Sequence, residues 1–383
     1  MLQPNIHKDL ALLKHQQRMG KYAGHTSGPT NPYVQLSGYL ESQFIAQSKN
    51  NNKINLTASN LDISAWVNRY MSAYTNFGVD TDDANDQFFR MIMGFITLGN
   101  LNESPYYMSV GQMFIPFGSF STSTSYIGTI PRGMGRILEQ AVSVGYYKEN
   151  GLHVTGAIYD GKTKDSGHFT NRFRDHTSHK RVDQYAGTVA YQSPFKLYDL
   201  PSSSRSGISY TNNLADALVT RNVFNRAGLH HYVSGIDIFN KTNVGPFVVK
   251  TEYVTALEHY SKQDITIGGK SARPGSFLGE FEYDTLVYGK GTAFVFHYSR
   301  IFNGSMTSTI KHQTGFNVTM NVLKDTVVSF EYARRGAYSD HYVLSNTSTT
   351  TPNVLNTRAA QGLNSIMDGK TRDLFVLTVD LFF

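Results

Sequence analysis

The stretch SFLGEFEYDTLVY, residues 276–288, alternates between large apolar and acidic side chains. Phe281 and Tyr283 share one parity, whereas Glu280 and Glu282 share the other. Successive side chains of a β-strand point to opposite faces, so this pattern predicts a strand with one aromatic and one charged face. Such a strand indicates a sheet that separates an apolar environment from a polar one.

The same period of two recurs from Asn31 to the end of the chain, for example in VQLSGYLESQF, AVSVGYY and GFNVTMNV. Short turns alternate with long polar connections between these segments, and among the turns the one from Ser193 to Ser204 is expected to be longer. An even number of strands with short turns at one end and long loops at the other is typical of outer-membrane barrels. We predict sixteen strands, centred near Gly38, Ser64, Thr75, Met93, Gly111, Val144, Gly156, Val189, Ile208, Gly235, Thr251, Tyr283, Phe296, Val318, Phe330 and Thr378.

Composition excludes several other classes of protein. The chain has 383 residues, 17% of them charged and 13% aromatic, and it contains no Cys. Thiolate metal sites and disulfide scaffolds are therefore excluded. Runs of the roughly 18 to 20 apolar residues that a spanning helix needs are absent from the sequence. The net charge of +6 is spread along the chain, so no nucleic-acid partner is expected.

A soluble β-sandwich is the main alternative, but its strands average about five or six residues. The alternating segments in this sequence are longer, at roughly ten to thirteen residues each. We therefore predict an all-β fold, a 16-stranded antiparallel up-and-down transmembrane β-barrel with a short N-terminal helix. Barrels of porin size leave a water-filled lumen.

The N-terminal region differs from the rest of the sequence. Ile6, Leu10 and Leu13 recur at helical spacing, which predicts a helix over residues 5–18. Residues 1–30 are interpreted as a periplasmic arm, or alternatively a plug, and residues 31–383 as the barrel. No secretory signal is recognisable, so we expect a mature chain whose signal peptide was removed.

The last segment, RDLFVLTVDLFF, has the alternation of a closing strand. Phe383 and Leu381 share the apolar parity, and Asp380 takes the other. We expect this strand to seal the barrel by pairing with the first strand, because an open edge is unfavourable in lipid. It also resembles the aromatic-terminated signal recognised by the barrel assembly machinery, which the resemblance implies as a partner.

The stretch GQMFIPFGSFSTS, residues 111–123, precedes the third long connection. Pro116 has no N–H to donate and should end regular pairing at the barrel rim. Gly118 allows a sharp turn. The following residues, Ser119 to Leu138, either fold into the lumen as a constriction or form an external lid. Sequence alone leaves both open.

With AVSVGYY after this loop and a short helix before GYLESQF, the chain resembles the LbtU-type siderophore porin family. The resemblance implies an outer-membrane channel and receptor for TonB-independent uptake of a ferric siderophore, expected to be anionic. It also implies contact with outer-membrane lipids and lipopolysaccharide. The alternatives are a diffusion porin for small anions such as phosphate, and an adhesin or structural barrel with a filled lumen.

Parity identifies the polar side chains that should face the lumen. Arg132 and Arg136 lie in the third connection, and opposite charges would face each other across the pore if that loop folds inward. Charge rings of this kind determine the selectivity of a pore. Otherwise these are solvated residues that bind no ligand. The inward candidates on strands are Asp237, Lys250, Glu252, Glu280, Glu282, Asp284, His297, Glu331, Arg335 and Asp380.

The segment RFRDHTSHKR in the fourth long connection is basic. It could attract polyanions such as a carboxylate-rich siderophore or lipopolysaccharide phosphates, or it could be a flexible charged loop. Its basic residues are Arg172, Arg174, Lys180 and Arg181. Its histidines lack a fixed carboxylate partner, so no metal site and no cofactor are expected.

His297 and Ser299 share a face without a third orienting group, so we expect no enzymatic activity.

Overall fold

The structure is a computed structural model. It describes residues 32–48, 52–80, 90–124, 129–163, 182–217, 229–262, 264, 266–267, 270–303, 310–337 and 371–383. The helix predicted over residues 5–18, the N-terminal arm and the basic residues Arg172, Arg174, Lys180 and Arg181 lie outside this range. These predictions therefore remain untested.

The described residues form eighteen strands, a six-residue helix α1 (Ile130–Gly135) and a 3₁₀ helix (Leu214–Asp216). No helix in these ranges is long and apolar enough to cross a membrane. The strands are β1 (Tyr33–Gln47), β2 (Lys53–Asn68), β3 (Met71–Asp80), β4 (Arg90–Leu98), β5 (Tyr106–Phe114), β6 (Leu138–Tyr147), β7 (Leu152–Asp160), β8 (Gln184–Leu197), β9 (Leu200–Thr211), β10 (Gly235–Val244), β11 (Phe247–Ala256), β12 (Thr266–Ile267), β13 (Lys270–Ser271), β14 (Gly275–Val287), β15 (Lys290–Phe302), β16 (Ile310–Leu323), β17 (Thr326–Ala337) and β18 (Thr371–Phe382).

Sixteen of these strands form one closed antiparallel barrel, in which each strand pairs with its neighbours in chain order. The short strands β12 and β13 pair separately, in the connection between β11 and β14. Every predicted strand centre falls within one of the sixteen barrel strands. The predicted sixteen-stranded antiparallel up-and-down barrel is confirmed.

The barrel closes between its first and last strands. Leu40 of β1 pairs with Leu381 of β18, and the register continues to Gln47 with Leu374. Beyond the strand, the Gly38 N–H donates to the Phe383 carbonyl at 2.8 Å. The Phe383 N–H donates back to the Gly38 carbonyl at 3.0 Å. Pairing therefore reaches the last residue, and the prediction that this strand closes the barrel is confirmed.

The two faces of the sheet differ as the alternation predicts. On β18, Phe375 and Leu377 are each 42% exposed on the outer face, while Thr378 is fully buried and Asp380 is 6% exposed. On β14, Phe281 is exposed, whereas its neighbour Glu282 is buried on the inner face. The outer surface of the isolated chain is thus apolar and the inner surface polar.

One predicted connection differs from the structure. Residues 193–204 were expected to form a longer link, but β8 and β9 are joined by Tyr198 and Asp199 alone. Both residues have positive φ, 49° and 60°, as in the two-residue turns of β-hairpins. Pro194 follows Tyr191, the last residue of β8 that pairs with β7. The sheet needs no N–H from Pro194 on that side, so the strand continues through it.

The inside of the barrel near its long loops contains a hydrophobic core. Side chains from the connections after β5, β9 and β11 pack there against inward-facing strand residues. Buried members include Ile115, Phe117, Met134, Leu214, Val233 and Tyr260. The described parts of these connections therefore fold onto the inner wall and reduce the width of the lumen at this end.

Candidate functional site: the constriction inside the barrel

Loop 3, which we define as residues 115–137 between β5 and β6, folds into the barrel over its described parts, residues 115–124 and 129–137. Its ends are joined by a hydrogen bond from the Ile115 N–H to the Ile137 carbonyl, at 3.0 Å. Gly118 and Phe120 have positive φ, 76° and 46°, which turns the chain inward. Helix α1 of this loop lies against β11, β14 and β15. Of the two alternatives left by the sequence, the structure shows the inward-folded constriction.

Carboxylates on the opposite wall hold the described start of loop 3. The Ser119 and Phe120 N–H groups both donate to Oε1 of Glu252, at 2.8 and 2.7 Å. A carboxylate that accepts two backbone N–H groups makes charge-assisted hydrogen bonds, which are stronger than those between neutral groups. Glu252 therefore fixes the point at which the loop meets β11.

Two acidic residues of β14 hold the next part of loop 3. Thr122 Oγ1 donates to Glu280 Oε2 at 2.7 Å, and the Ser123 N–H donates to Glu280 Oε1 at 2.9 Å. The Ser123 hydroxyl also donates to Glu282. Both carboxylates are nearly inaccessible to solvent. Loop 3 thus donates hydrogen bonds to carboxylates that would otherwise face the lumen.

Lys250 supplies the positive charge of this cluster. Its Nζ lies 2.6 Å from Glu280 Oε1 and 3.4 Å from Glu282 Oε2, and its side chain is 6% exposed. The ammonium group also donates to the Ser123 hydroxyl. We call Lys250, Glu252, Glu280 and Glu282 the wall cluster. Because Lys250 is buried between two carboxylates, it stabilises the anchor of the loop and is little exposed to a passing solute.

The other predicted inward residues extend from this cluster along the wall. Asp237 is fully buried and interacts with Glu252, and Asp284 lies beyond Glu282 on β14. His297 pairs directly with Glu280 across β14 and β15. His297 Nε2 is hydrogen-bonded to Gln313 Nε2 at 3.1 Å. The structure therefore places these residues side by side on one wall.

Arg335 and Glu331 lie further round the barrel on β17. Arg335 Nε donates to Gln313 Oε1 at 2.8 Å, which links it to the same side chain that contacts His297. Glu331 accepts a hydrogen bond of 2.6 Å from Asn317 Nδ2. Both side chains therefore belong to hydrogen-bonded networks on the inner wall.

Arg132 and Arg136 lie in and directly after α1. The Arg136 guanidinium carbon is 3.4 Å from the centre of the Phe114 ring, a cation–π arrangement. On the loop side, the hydrogen bonds described above between loop 3 and the wall cluster involve backbone N–H groups and the hydroxyls of Thr122 and Ser123. The proposed charge opposition between these arginines and the acidic wall therefore stays a prediction.

Two inward cations were missed by the sequence reasoning. Arg205 on β9 pairs directly with Lys241 on β10, and Lys241 pairs with Lys250 on β11. We call these three residues the basic row. Parity could have found Lys241, because it lies four residues after Asp237 on the same face. The segments around both residues are rich in Ser, Asn and Thr, so their alternation is weak.

An acidic wall faces the basic row. Glu41 and Asp380 are direct cross-strand neighbours on β1 and β18, and Asp62 lies on β2. In the sixteen-strand ring these strands are across the barrel from β9, β10 and β11. Asp62 accepts hydrogen bonds from Tyr74 at 2.5 Å and Asn76 at 2.6 Å. Acidic residues of β1, β2 and β18 therefore face Arg205 and Lys241 across the lumen, and the wall cluster places further carboxylates beside the basic row.

A closed sixteen-stranded barrel with an inward-folded third loop defines a porin-like fold. Solved structures support this class. An anion-selective porin from Comamonas acidovorans matches 92% of this chain and 100% of its own, with a TM-score of 0.58 and 14% identity. OmpF of Salmonella typhi matches 91% and 97%, with a TM-score of 0.57 and 10% identity. The outer membrane channel DcaP of Acinetobacter baumannii matches 93% and 99%, with a TM-score of 0.52 and 12% identity.

Sequence relatives extend along most of the chain. A UPF0422 protein of Coxiella burnetii is 28% identical over 364 residues, which are 92% of this chain and 75% of that protein. UPF0422 protein lpg2959 of Legionella pneumophila is 24% identical over 356 residues, and this chain spans 64% of its length. No family model matches the sequence. These names specify no substrate, so the siderophore-porin resemblance stays a prediction.

Proposed function

We propose that this protein is an outer-membrane channel and receptor that takes up an anionic solute, and that the solute is a ferric siderophore taken up without TonB. The main support for the proposal is that Glu252, Glu280 and Glu282 anchor loop 3 inside a closed barrel. A loop fixed at several points narrows the passage while the rest of the lumen stays polar.

The charges of the lumen support an anionic solute. Arg205 and Lys241 lie on the wall across from Glu41 and Asp380. Cations on one side of the lumen and carboxylates on the other orient a solute that has an acidic and a neutral side. Rings of charged side chains also select ions by the sign of their charge. The ferric siderophore is the more specific part of the proposal. It is supported by the resemblance of residues 111–123 to the siderophore porins.

A diffusion porin for small anions such as phosphate is the second candidate. Arg205 and Lys241 of the basic row favour it, because two adjacent strands each contribute a cation at one level. The fold likeness to an anion-selective porin is consistent with it. In this case the channel would conduct anions without saturable binding of a ferric complex.

The proposal also implies a location and partners. An apolar outer surface on a closed barrel suits outer-membrane lipids and lipopolysaccharide. The apolar C-terminal strand that ends in Phe383 suits recognition by the barrel assembly machinery. Cell fractionation with antibody detection tests the location, and recovery of the protein in the soluble fraction would contradict it.

The experiment is reconstitution of the folded protein in planar bilayers. A reversal potential measured across a KCl gradient gives the charge preference, and titration with iron(III) citrate tests for a polycarboxylate iron complex. Anion preference with saturable block by iron(III) citrate, but not by citrate alone, supports the first candidate. Anion preference without block supports the second. Cation preference would overturn both.

A further inference from the structure

Arg205 stands in an unusual position on the inner wall of the barrel. In the sheet it pairs with Gln192 on one side and Lys241 on the other, so no acidic residue is its direct neighbour. Its Nε is buried and has no hydrogen-bond partner. Within the described part of the chain, no carboxylate forms an ion pair with it.

Aromatic side chains frame this guanidinium. The Phe239 ring centre is 5.7 Å from the Arg205 guanidinium carbon. The phenols of Tyr107 and Tyr147 lie close enough to interact with its charge. The Tyr147 ring in turn stands 4.3 Å from the His153 ring, centre to centre. Tyr107 of β5, Tyr147 of β6 and Phe239 of β10 therefore all interact with Arg205 of β9 on the inner wall.

Two inward-facing glycines let these rings lie along the wall. A Cβ atom at Gly145 would stand 2.3 Å from Cζ of Tyr107, and one at Gly207 would stand 2.3 Å from Cζ of Phe239. Since real Cβ atoms do not approach this closely, any larger residue would displace the rings. The Tyr107 hydroxyl is also fixed by a hydrogen bond of 2.9 Å with Thr155. The frame around Arg205 is thus built by the sheet itself.

The charges nearby leave the Arg205 guanidinium uncompensated. Lys250 is ion-paired with Glu280 and Glu282, and Lys241 interacts with Glu282 and Asp284. Like charges directly opposite each other in a sheet are destabilising. Withdrawing a cation from water is costly unless an anion offsets the loss. An anion bound at Arg205 would offset both effects.

We propose that Arg205, Tyr107, Tyr147 and Phe239 form a binding site for small aromatic carboxylates, distinct from the wall cluster that holds loop 3. A guanidinium presents a planar fork of N–H donors that matches a carboxylate in a bidentate way. The flanking rings would stack on the aromatic part of the ligand. Arg205 is the sixth of the twelve residues of β9, so the site lies near the middle of the wall. The inference does not depend on ferric siderophore uptake.

The test is calorimetric titration of the folded protein in detergent with benzoate, and with acetate for comparison. We expect saturable benzoate binding, at least tenfold tighter than acetate binding. Arg205→Gln should weaken benzoate binding at least tenfold, and Arg205→Lys should weaken it less. Phe239→Leu should remove the preference for benzoate over acetate. Arg69→Gln, at an exposed turn arginine, is the matched control and should bind like the wild type.

Heat-modifiable mobility on a gel verifies that each variant forms a barrel. If Arg205→Gln fails this check, the comparison of Phe239→Leu with the wild type decides between the outcomes. Absence of saturable benzoate binding in the wild type would overturn the inference. Equal affinity of wild type and Arg205→Gln would overturn it as well. Equal affinity of the wild type for benzoate and acetate would also overturn it, because the rings would then contribute nothing.

Discussion

The Phe383 ring lies directly on Gly38. A Cβ atom at Gly38 would stand 2.6 Å from Cζ of the ring and 2.5 Å from the Asn60 carbonyl oxygen. Gly38 and Phe383 also exchange backbone hydrogen bonds of 2.8 and 3.0 Å. An aromatic side chain over a glycine of the neighbouring strand covers exposed backbone and fixes the register. The seam between the first and last strands is thus secured by backbone pairing and ring packing together.

Gly38→Ala should weaken this seam. The new methyl group would displace the Phe383 ring or spread β1 from β2, at a cost of about 1–3 kcal/mol as for other overpacking substitutions. The measurement is the temperature at which the folded band disappears on a semi-native gel. Gly156→Ala is the matched control, because a Cβ there would meet no atom closer than 4.0 Å. Equal transition temperatures would contradict the assignment.

Removal of Phe383 should impair assembly more than transport. The truncated strand loses both the ring on Gly38 and the last pair of backbone hydrogen bonds. We expect a lower yield of folded barrel in membranes, with unchanged conductance in the molecules that do fold. Quantification of the heat-modifiable band in outer-membrane fractions measures the first effect. A normal yield of folded barrel would contradict this role of Phe383.

Glu252→Ala should release the start of loop 3. The substitution removes the acceptor of the Ser119 and Phe120 N–H groups, and a hydrogen bond to a charged group contributes about 1.5–3 kcal/mol. Single-channel recordings should show more frequent changes of conductance and a larger open level. Glu258→Ala, at an exposed position after β11, serves as the control and should record like the wild type. A quiet, unchanged channel in Glu252→Ala would show that other contacts hold the loop.

Lys250→Met should destabilise the wall cluster strongly. It leaves Glu280 and Glu282 buried without their cation, and breaking a buried pair in this way costs about 3–5 kcal/mol. Chemical unfolding followed by tyrosine and tryptophan fluorescence measures the loss. Lys290→Met, at an exposed position, is the control for removal of a lysine. Adding Glu280→Gln to Lys250→Met should recover part of the stability, and no recovery would argue against charge imbalance as the cause.

The sequence was sufficient to predict the barrel because an apolar environment outside and a polar lumen inside require apolar and polar side chains to alternate strictly along each strand. In β14 the exposed Phe281 and the buried Glu282 follow the parity directly. The length of the turn between β8 and β9 was not predicted. Tyr198 and Asp199 form a two-residue turn with positive φ, whereas a longer link from Ser193 to Ser204 was expected. The turn is short because β8 and β9 stay paired with each other up to Leu197 and Leu200.

The position of loop 3 could not be predicted from sequence, because it depends on which residues the closed barrel places opposite one another. Ser119 and Glu252 are 133 positions apart and have no pattern in common. The basic row was missed for a related reason. Arg205 lies among serines, where the alternation between apolar and polar residues is weak. Only the pairing of β9 with β10 shows that Arg205 lies directly beside Lys241.

Asp216→Asn should loosen the connections that follow β7 and β9. Asp216 is fully buried and its Oδ1 accepts hydrogen bonds from the Thr163 N–H at 2.7 Å and from Thr163 Oγ1 at 2.6 Å. Asn213 Nδ2 donates to Thr163 Oγ1 at 2.8 Å and completes the network. Asparagine keeps one acceptor but loses the charge, so we expect a loss of roughly 1–2 kcal/mol, with a larger loss for Asp216→Ala. Asp199→Asn, at the exposed β8–β9 turn, is the control. The graded order, wild type above Asp216→Asn above Asp216→Ala, should appear in the folded-band transition temperature, and its absence would show that the network contributes nothing to stability.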